Sequence, residues 1–259
     1  MIEGSTEITV TIASTGKTYS ATVVGNDPTN DVAVLQLDNA SGLAVADLDT
    51  SDSVAIGDSV TGIGNSEGQG FLSAAEGSIT ALEQQITVAD ELTGAGKALE
   101  GLIETDAPIV SGDSGGPLLD SDGEVVGIDT AASSNAQNPT GYAIPIADAL
   151  QIVDQIETGT ETDTVNIGYP AFLGVQLGDT TATDGVAVGG VIENSPAADA
   201  GLAAGDTITA FDGTAVASAS ELSAAVAAHD AGDKVKVTWV DASGETQTAT
   251  VTLIEGPAA

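Results

Sequence analysis

The stretch with the clearest chemical potential is Gly112-Asp113-Ser114-Gly115-Gly116-Pro117-Leu118. A serine hydroxyl becomes a strong nucleophile when a neighbouring base takes its proton. Attack on a peptide carbonyl builds negative charge on the carbonyl oxygen, and backbone N–H groups aimed at that oxygen stabilise it. The glycines permit a tight turn and a close approach of substrate. We therefore expect Ser114 to be a nucleophile, with the amides of Gly112 and Ser114 as its oxyanion hole.

The base that this chemistry requires is missing from the region around the serine. Histidine is the usual base, and the single histidine of the sequence is His229, far downstream. The pattern Gly112-x-Ser114-x-Gly116 formally matches a nucleophile elbow, whose enzymes carry their histidine downstream. That motif needs a strand–turn–helix context, whereas Pro117 and the run Asp120-Ser121-Asp122-Gly123-Glu124 predict a strand and a hairpin. We interpret His229 as a structural residue at the end of a helix, where the helix dipole favours a cation.

Composition limits the classes of partner. The chain of 259 residues is 42% hydrophobic, so it can bury a core, but only 3% aromatic. Its 39 acidic and 4 basic residues give a net charge of −35, which argues against nucleic acid and anionic lipid as partners because both are bound through Lys and Arg. There is no cysteine, which excludes thiolate metal sites and disulfides. No pattern supports another metal site or a cofactor.

The elements that must position Ser114 are mostly strands. Apolar or alternating runs separated by turn residues predict strands at 8–12, 21–24, 32–37, 54–63, 77–82, 99–105, 117–119 and 124–130. This even spacing is typical of a β-barrel or sandwich. Apolar residues at helical spacing predict a short amphipathic helix from Ile146 to Ile156. We assign residues 1–156 to a first domain and the polar, acidic segment 157–167 to a linker.

Residues 168–256 read as a second, α+β domain. Ser195-Pro196 and Gly201 are typical of the start and end of a short helix, and Thr207 to Phe211 predicts a strand. Ser218 and Glu221 form a possible capping box for a helix over 219–229. Two alternating runs around Ser243-Gly244 predict a terminal hairpin.

Several motifs, in order, resemble one known family. Residues 107–119 and Gly141-Tyr142-Ala143-Ile144-Pro145 are similar to the trypsin-like serine proteases of the HtrA (DegP/DegS) group. The run from Asn30 to Leu37 resembles the segment around that group's catalytic aspartate, and Gly62-Ile63-Gly64-Asn65 resembles its mid-domain glycine motif. Residues 168–256 resemble the PDZ domain that follows the protease. The resemblance implies a mainly β, trypsin-like double β-barrel followed by an α+β PDZ domain.

The resemblance assigns roles to individual residues. Ser114 would be the nucleophile, and Asp31 would hold a histidine in the correct tautomer and orientation. Gly112 and Ser114, with the amide of Asp113, would form the oxyanion hole. The family's catalytic histidine would lie just before Met1, so the resemblance implies a chain that is N-terminally truncated. Such a chain would have an incomplete N-terminal barrel, would lack the catalytic histidine and would be inactive as given.

The resemblance also implies two binding sites. The specificity pocket of the protease would be lined by Pro108, Ile109, Ile128, Thr130, Gly141 and Ala143. Its base carries no fixed charge, so it should prefer a modest apolar side chain. In the second domain, the amides of Leu173, Gly174 and Val175 would receive the C-terminal carboxylate of a peptide that adds as a strand beside residues 175–177 and rests against the helix at 219–229. A plain buried strand with an unused loop is the alternative reading there.

The function that follows is a serine endopeptidase that hydrolyses peptide bonds in unfolded or exposed polypeptides through an acyl-enzyme, without a cofactor. The family implies a location in the cell envelope or outside the cell, a possible homotrimer, and a signal or membrane anchor that this sequence does not show. The alternative is a non-catalytic protein that binds peptides through its PDZ domain and keeps the protease-like part as a scaffold.

Overall fold

The computed structural model describes residues 2, 5, 7–51, 54–89, 96–132, 140–178 and 185–257. It divides into two compact units, Met1–Gly168 and Tyr169–Ala259. The limits predicted above for the two domains stay a prediction. Among the described residues, no helix combines the length and the apolar character that crossing a membrane requires.

The first unit is built almost entirely from strands. A single turn of 3-10 helix, Ser66–Gly68, follows its fourth strand. Its strands and helix are β1 (Ile8–Ile12), β2 (Lys17–Asp27), β3 (Val32–Leu37), β4 (Ser59–Gly64), β5 (Ser73–Ala89), β6 (Gly96–Thr105), β7 (Pro117–Leu119), β8 (Val125–Ala132), β9 (Gly141–Pro145), α1 (Ile146–Glu157) and β10 (Asn166–Ile167).

The strands of the first unit form a closed barrel and a separate sheet. The barrel runs in the order β4-β5-β6-β9-β8-β7, and β1, β2, β3 and β10 form a four-stranded sheet. Aliphatic side chains fill the barrel, among them Ile79, Ile103 and Leu118, as expected for a core with few aromatic residues. Strand β5 is much longer than the predicted 77–82. The prediction ended early because the polar pair Gln84-Gln85 interrupts the apolar pattern.

The predicted linker 157–167 is not a free connection. Val165 is 1% exposed, and β10 pairs with β2 through Asn166↔Asn26 and Ile167↔Gly25. The end of this segment is therefore part of the first unit. The polar composition of the segment conceals two apolar residues, Val165 and Ile167. Their removal from water stabilises the folded state.

The second unit combines strands with two helices. Its strands follow the order β12-β13-β14-β16-β17, with β15 paired to β14, while β11 pairs with β18. Its elements are β11 (Ala171–Phe172), β12 (Val175–Leu177), β13 (Val186–Val191), α2 (Pro196–Ala200), β14 (Thr207–Phe211), β15 (Thr214–Ala215), α3 (Ala219–Ala227), β16 (Lys234–Val240), β17 (Thr246–Thr252) and β18 (Ile254–Glu255).

Local sequence signals set the helix ends of the second unit. Helix α2 begins after Ser195, whose hydroxyl accepts the amide of Ala198, and ends at Gly201 in the left-handed conformation. Helix α3 begins after Ser218, whose hydroxyl accepts the amide of Glu221 at 3.2 Å. These caps and the hairpin of β16 and β17 agree with the sequence prediction, although α3 ends at Ala227 rather than at residue 229.

Candidate active site

Ser114 lies in a turn of residues 111–116, which we call the Ser114 turn, just before β7. Its half-buried side chain donates a hydrogen bond from Oγ to the carbonyl of Thr130 at 3.1 Å. Two backbone hydrogen bonds to Asp129 hold the turn against β8. The amide of Gly115 donates to the carbonyl of Asp129 at 2.6 Å, and the amide of Asp129 donates to the carbonyl of Gly116 at 2.8 Å. Strand β8 therefore fixes where the hydroxyl sits.

The Ser114 turn presents backbone amides that have no partner. The amides of Gly112 and Ser114 donate no hydrogen bond to any residue that the structure describes. The amide of Asp113 donates to the carbonyl of Val110 at 3.1 Å, which removes it from the oxyanion hole predicted from the sequence. Two amides beside one hydroxyl are the arrangement that can stabilise charge on an attacked carbonyl oxygen.

The segment 65–68 sets the direction of the first of these amides. The carbonyl of Ser111 accepts the amide of Glu67 at 2.7 Å. Because the C=O and N–H of a trans peptide point in opposite directions, the amide of Gly112 is turned away from Glu67. Gly112 has a φ of +96°, and a Cβ there would lie 2.5 Å from the carbonyl oxygen of Asn65. Only glycine fits this position without displacing the backbone.

Asp31 follows a tight turn between β2 and β3 and has a φ of +61°. The buried carboxylate of Asp27 fixes that turn, because it accepts the backbone amide of Asn30 at 3.0 Å and its side-chain amide at 2.7 Å. The hydroxyl of Thr164 donates to the same carboxylate at 2.9 Å. A residue in the left-handed region persists when its surroundings hold it there, and Asp27 supplies that support.

Thr130 connects the two predicted catalytic residues. Its carbonyl accepts the Ser114 hydroxyl, and its own hydroxyl donates to Asp31 Oδ2 at 2.5 Å. The sequence predicted Thr130 only as a pocket residue, and its contact with Asp31 spans 99 positions of the chain. The fold thus brings Asp31 and Ser114 to opposite ends of a single residue.

A cation also lies beside Asp31. Lys97 on β6 places its Nζ 3.8 Å from Asp31 Oδ1, and it is one of only 4 basic residues in the chain. The side chain of Asp31 is 43% exposed, so water screens this pair. Sequence reasoning did not single out Lys97, and only the scarcity of basic residues marks it in the sequence.

Two buried carboxyl groups lie beneath the Ser114 turn. Asp113 is 4% exposed, and its carboxylate accepts the amide of Val110 at 2.9 Å and the hydroxyl of Ser66 at 2.8 Å. Asp129 is fully buried. Loss of hydration is the larger cause and the charge of Asp113 the smaller one, and together they raise the pKa of Asp129 to about 7. An acidic residue directly after the apolar run Val125–Ile128 is the sequence signal that could have identified this group.

The predicted pocket residues lie along the barrel next to the Ser114 turn. Ile109 is 4% exposed, and a Cβ on Gly141 would lie 2.6 Å from its Cδ1. Asp129 on β8 is paired with Ala143 on β9, which places a carboxyl group among residues expected to be uncharged. Pro108 is exposed, whereas Ile128 and Thr130 are half-buried. That these six residues form a specificity pocket stays a prediction.

His229 is in the second unit, just after α3. Its Nδ1 lies 3.5 Å from Asp233 Oδ2, and its Nε2 lies 3.8 Å from Asp212 Oδ2. The imidazole packs edge-on against Phe211, with ring centroids 5.7 Å apart. Its neighbours therefore belong to the core and surface of the second unit, in agreement with a structural role.

The second unit has its own pair of unbonded amides, at Leu173 and Gly174 between β11 and β12. Within the described part of the chain these two amides donate to no residue. Their carbonyls accept amides from Ala197 and Ile192, each at 2.9 Å. Gly174 has a φ of +84°, and a Cβ there would overlap the side chain of Ser195. We call residues 173–174 the Gly174 loop.

The edge strand β12 continues from the Gly174 loop. In a β-strand the N–H and C=O groups of successive residues point to opposite sides. Since the carbonyl of Gly174 faces Ile192, the N–H and C=O of Val175 face the open side of the sheet. The three residues predicted to bind a peptide carboxylate thus form one continuous edge, and Leu222 of α3 packs in the same core as Leu173.

Comparisons with known proteins agree with both units. Residues 2–128 match a family model described as a trypsin-like peptidase domain, and residues 171–253 match one described as a PDZ domain. The predicted fold class, a trypsin-like domain followed by a PDZ domain, is confirmed. A solved structure of the HtrA-type protease AlgW with a tripeptide is 30% identical, with a TM-score of 0.50, and the match covers 98% of this chain and 83% of that chain.

Curated relatives are longer than this chain. The serine protease Do-like HtrA of Lactococcus lactis subsp. cremoris is 34% identical over 98% of this chain and 65% of that protein. A probable periplasmic serine protease do/HhoA-like of Haemophilus influenzae is 34% identical over 93% of this chain and 51% of that protein. The chain therefore spans about half to two thirds of the length of these relatives.

Proposed function

The chain belongs to the HtrA family of trypsin-like serine proteases with a C-terminal PDZ domain, and we propose that its first unit supplies the nucleophile and oxyanion hole of a serine endopeptidase. The observation that carries this proposal is the Ser114 hydroxyl beside the unbonded amides of Gly112 and Ser114. Its substrates are unfolded or exposed polypeptides, whose backbone can enter the site in an extended form.

Ser114 Oγ attacks the carbonyl carbon of the scissile peptide bond. The electron pair of the C=O bond moves to oxygen, where the amides of Gly112 and Ser114 stabilise it. When the bond to nitrogen breaks, the leaving amine takes up a proton and an acyl group remains on Ser114. Water then attacks this ester and releases the acid, which restores the hydroxyl.

A base must take the serine proton, and residues 1–228 contain no histidine. We therefore place the base on a histidine outside residues 1–259. Asp31 accepts the hydrogen bond of Thr130 at one carboxylate oxygen, and its half-exposed carboxylate would orient the imidazole and stabilise the imidazolium. Residues 1–259 alone would then be inactive.

The specificity pocket would lie between the segment 108–109 and strands β8 and β9. Buried Ile109 and Ala143 favour a modest apolar side chain before the cleaved bond. The pocket residues are Pro108, Ile109, Ile128, Thr130, Gly141 and Ala143.

The second unit would bind the C-terminus of a polypeptide. A carboxylate accepts the free amides of the Gly174 loop, and the peptide adds as a strand along the open edge at Val175. Peptide binding is in keeping with the solved structure of AlgW with a tripeptide. On the same family likeness we propose a homotrimer. We also propose a location in the cell envelope or outside the cell, since the relative from Haemophilus influenzae is described as a probable periplasmic serine protease.

The test compares peptide hydrolysis by two chains: residues 1–259, and the same chain extended at its N-terminus by a histidine-bearing segment of a relative. A Ser114→Ala partner accompanies each. We expect cleavage only by the extended chain with Ser114. Because the loss of one member of a triad leaves only about 10³–10⁴-fold acceleration over water, residues 1–259 should show negligible activity. Ser114-dependent cleavage by residues 1–259 would contradict the missing base, and cleavage by the extended Ser114→Ala chain would contradict the nucleophile.

The second candidate function is a non-catalytic peptide-binding protein. The absence of a histidine from residues 1–228 favours it. In that case the extended chain is inactive as well, while the second unit still binds peptide C-termini.

A further inference from the structure

Asp129 is a buried carboxyl group that the proposed reaction does not use. It is 0% exposed, and neither of its side-chain oxygens has a hydrogen-bond partner among the described residues. Buried polar groups are nearly always paired, so an unpaired carboxyl needs a physical explanation. The ionised form would be especially unfavourable here, because a buried charge without a donor has lost its hydration.

The backbone of Asp129 is part of the support for the Ser114 turn. Its carbonyl accepts the amide of Gly115 and its amide donates to the carbonyl of Gly116, at 2.6 and 2.8 Å. Its side chain reaches into the barrel, where Oδ2 would lie 2.9 Å from a Cβ placed on Gly62. The same residue therefore carries the buried carboxyl and two of the hydrogen bonds that hold the Ser114 turn.

Asp113 is the charged neighbour of this group. Its carboxylate accepts two hydrogen bonds, from Val110 and Ser66, and both oxygens are thereby committed to holding the start of the turn. The charge of Asp113 acts on Asp129 and raises its pKa. Around Asp129, β4 contributes Gly62, β9 contributes Ala143, and the segment before the turn contributes Ile109; none of these titrates.

We propose that Asp129 is a positioning residue, whose neutral carboxyl keeps the Ser114 turn in the shape that presents the amides of Gly112 and Ser114. The neutral form adds no second charge beneath the turn, where the carboxylate of Asp113 accepts hydrogen bonds from Ser66 and Val110. When Asp129 loses its proton to water, two negative charges share a dry site that offers Asp129 no donor. The turn then shifts to admit water. The inference rests on the proposed function for its catalytic meaning.

The test follows the backbone amide signals of residues 1–259 by NMR as pH rises from about 5 to about 8, the range that brackets the proton loss. We expect the signals of Gly112 and Ser114 to move in one step with a midpoint near the pKa of about 7 of Asp129. In Asp129→Asn the step should disappear, with both amides near their low-pH positions, because the amide side chain resembles the neutral acid.

Two control variants separate this step from other titrations. Asp206→Asn changes a second buried carboxyl, 4% exposed, which accepts the amide of Ala203 in the second unit. His229→Gln removes the one side chain type that ordinarily titrates in this range. Both variants should keep the step at Gly112 and Ser114. A step that survives in Asp129→Asn, or a wild-type chain without a step, overturns the proposal.

A measurement on the unmodified chain covers the case in which Asp129→Asn does not fold. The side-chain carboxyl carbon of Asp129 should titrate with the same midpoint as the two amides, and a midpoint in the ordinary range of aspartate would overturn the inference. Neither readout is enzymatic activity, so the outcome of this test does not depend on the proposed function. Ser114→Ala should leave the step unchanged, whether or not Ser114 is a nucleophile.

Discussion

The Ser114 turn and the Gly174 loop use the same backbone device on different supports. Each presents two unbonded amides next to a glycine in the left-handed region, Gly112 at φ +96° and Gly174 at φ +84°. Beneath the Ser114 turn lie two buried carboxyl groups, Asp113 and Asp129. Beneath the Gly174 loop lie the hydroxyl of Ser195 and an uncharged apolar core.

This difference indicates that two loops with similar unbonded amides can respond differently to pH. The described residues that support the Gly174 loop contribute a hydroxyl and apolar side chains, none of which titrates near neutral pH. The Ser114 turn, in contrast, is supported by a carboxyl with a pKa of about 7. We therefore expect pH to act on the first unit through Asp129 and to leave the Gly174 loop unchanged, and the following predictions test that contrast.

The largest expected effect concerns the stability of the first unit in Asp129→Asn. Because folding raises the pKa of Asp129 from 3.8 to about 7, the folded state binds more protons than the unfolded state between these values. The free energy of unfolding therefore falls as pH rises through that window and is lowest above it. The variant should gain at most about 4 kcal/mol at about pH 8 and almost nothing near pH 4.

The measurement is hydrogen exchange of β8 amides in residues 1–259, since Trp239 reports only the second unit. The other carboxylates are the same in wild type and variant. The pH dependence of the difference in their free energies of unfolding therefore reports Asp129 alone. Asp206→Asn is the control, and an equal gain at both pH values would contradict the linkage.

The next effect concerns Gly174→Ala in the second unit. Its Cβ would overlap Ser195, and the left-handed conformation adds about 1–2 kcal/mol of strain for a residue with a Cβ. We expect the free energy of unfolding of the second unit to fall by about 2–4 kcal/mol, because strain and overpacking act together. Peptide affinity should fall by about tenfold or more, since 1.4 kcal/mol corresponds to a factor of ten.

Gly213→Ala is the matched control for this change. Gly213 also has a positive φ, +79°, but a Cβ there would meet nothing within 4 Å. It should cost about 1 kcal/mol of strain and leave peptide affinity unchanged. Trp239 fluorescence during denaturant unfolding gives the stability, and titration with a peptide gives the affinity; equal effects of the two variants would remove the steric argument.

A third comparison sets two buried carboxyl groups of the first unit against each other. Asp27 is 1% exposed and accepts three hydrogen bonds, whereas Asp129 accepts none from the described residues. At about pH 8, Asp27→Asn should therefore destabilise the first unit by about 1–3 kcal/mol, as expected when hydrogen bonds to a charged group are lost, whereas Asp129→Asn stabilises it at that pH. Hydrogen exchange of β2 and β3 measures the effect. If both variants changed the free energy of unfolding in the same direction, the two carboxyl groups would not differ as described.

The smallest expected effect is that of Lys97→Met. The pair between Lys97 and Asp31 is 3.8 Å long, and its side chains are 24% and 43% exposed. Exposed pairs contribute about 0–1 kcal/mol, so exchange in β6 should hardly change, and added salt should remove the difference. A loss above about 1.5 kcal/mol would exceed this range and show that Lys97 has a structural role in the site.

The sequence was most informative where the chemistry is local. The Ser114 turn, the cap of α2 at Ser195 and the end of that helix at Gly201 follow from turn and capping preferences, which neighbouring residues decide. Asp31 could be singled out only through the family pattern, because nothing adjacent to it marks it as catalytic.

The parts that the sequence could not predict depend on distant strands. The hydrogen bond of Thr130 to Asp31 joins residues 99 positions apart, and the isolation of Asp129 depends on which face of β8 points into the barrel. The docking of β10 onto β2 was hidden because Val165 and Ile167 stand in a polar segment. In each case packing between elements decides the outcome.

The most direct test of the whole account is one amide map, with two ligands, of the chain extended at its N-terminus by the histidine-bearing segment of a relative. One is a peptide with a C-terminal boronic acid, which forms a tetrahedral adduct with a nucleophilic hydroxyl; the other is the same peptide with a free carboxylate. We predict that the boronate moves the amides of Gly112 and Ser114, in a Ser114-dependent manner, and that the carboxylate moves those of Leu173 and Gly174. Identical shifts for the two ligands, or boronate shifts that persist at Gly112 in Ser114→Ala, would contradict the account.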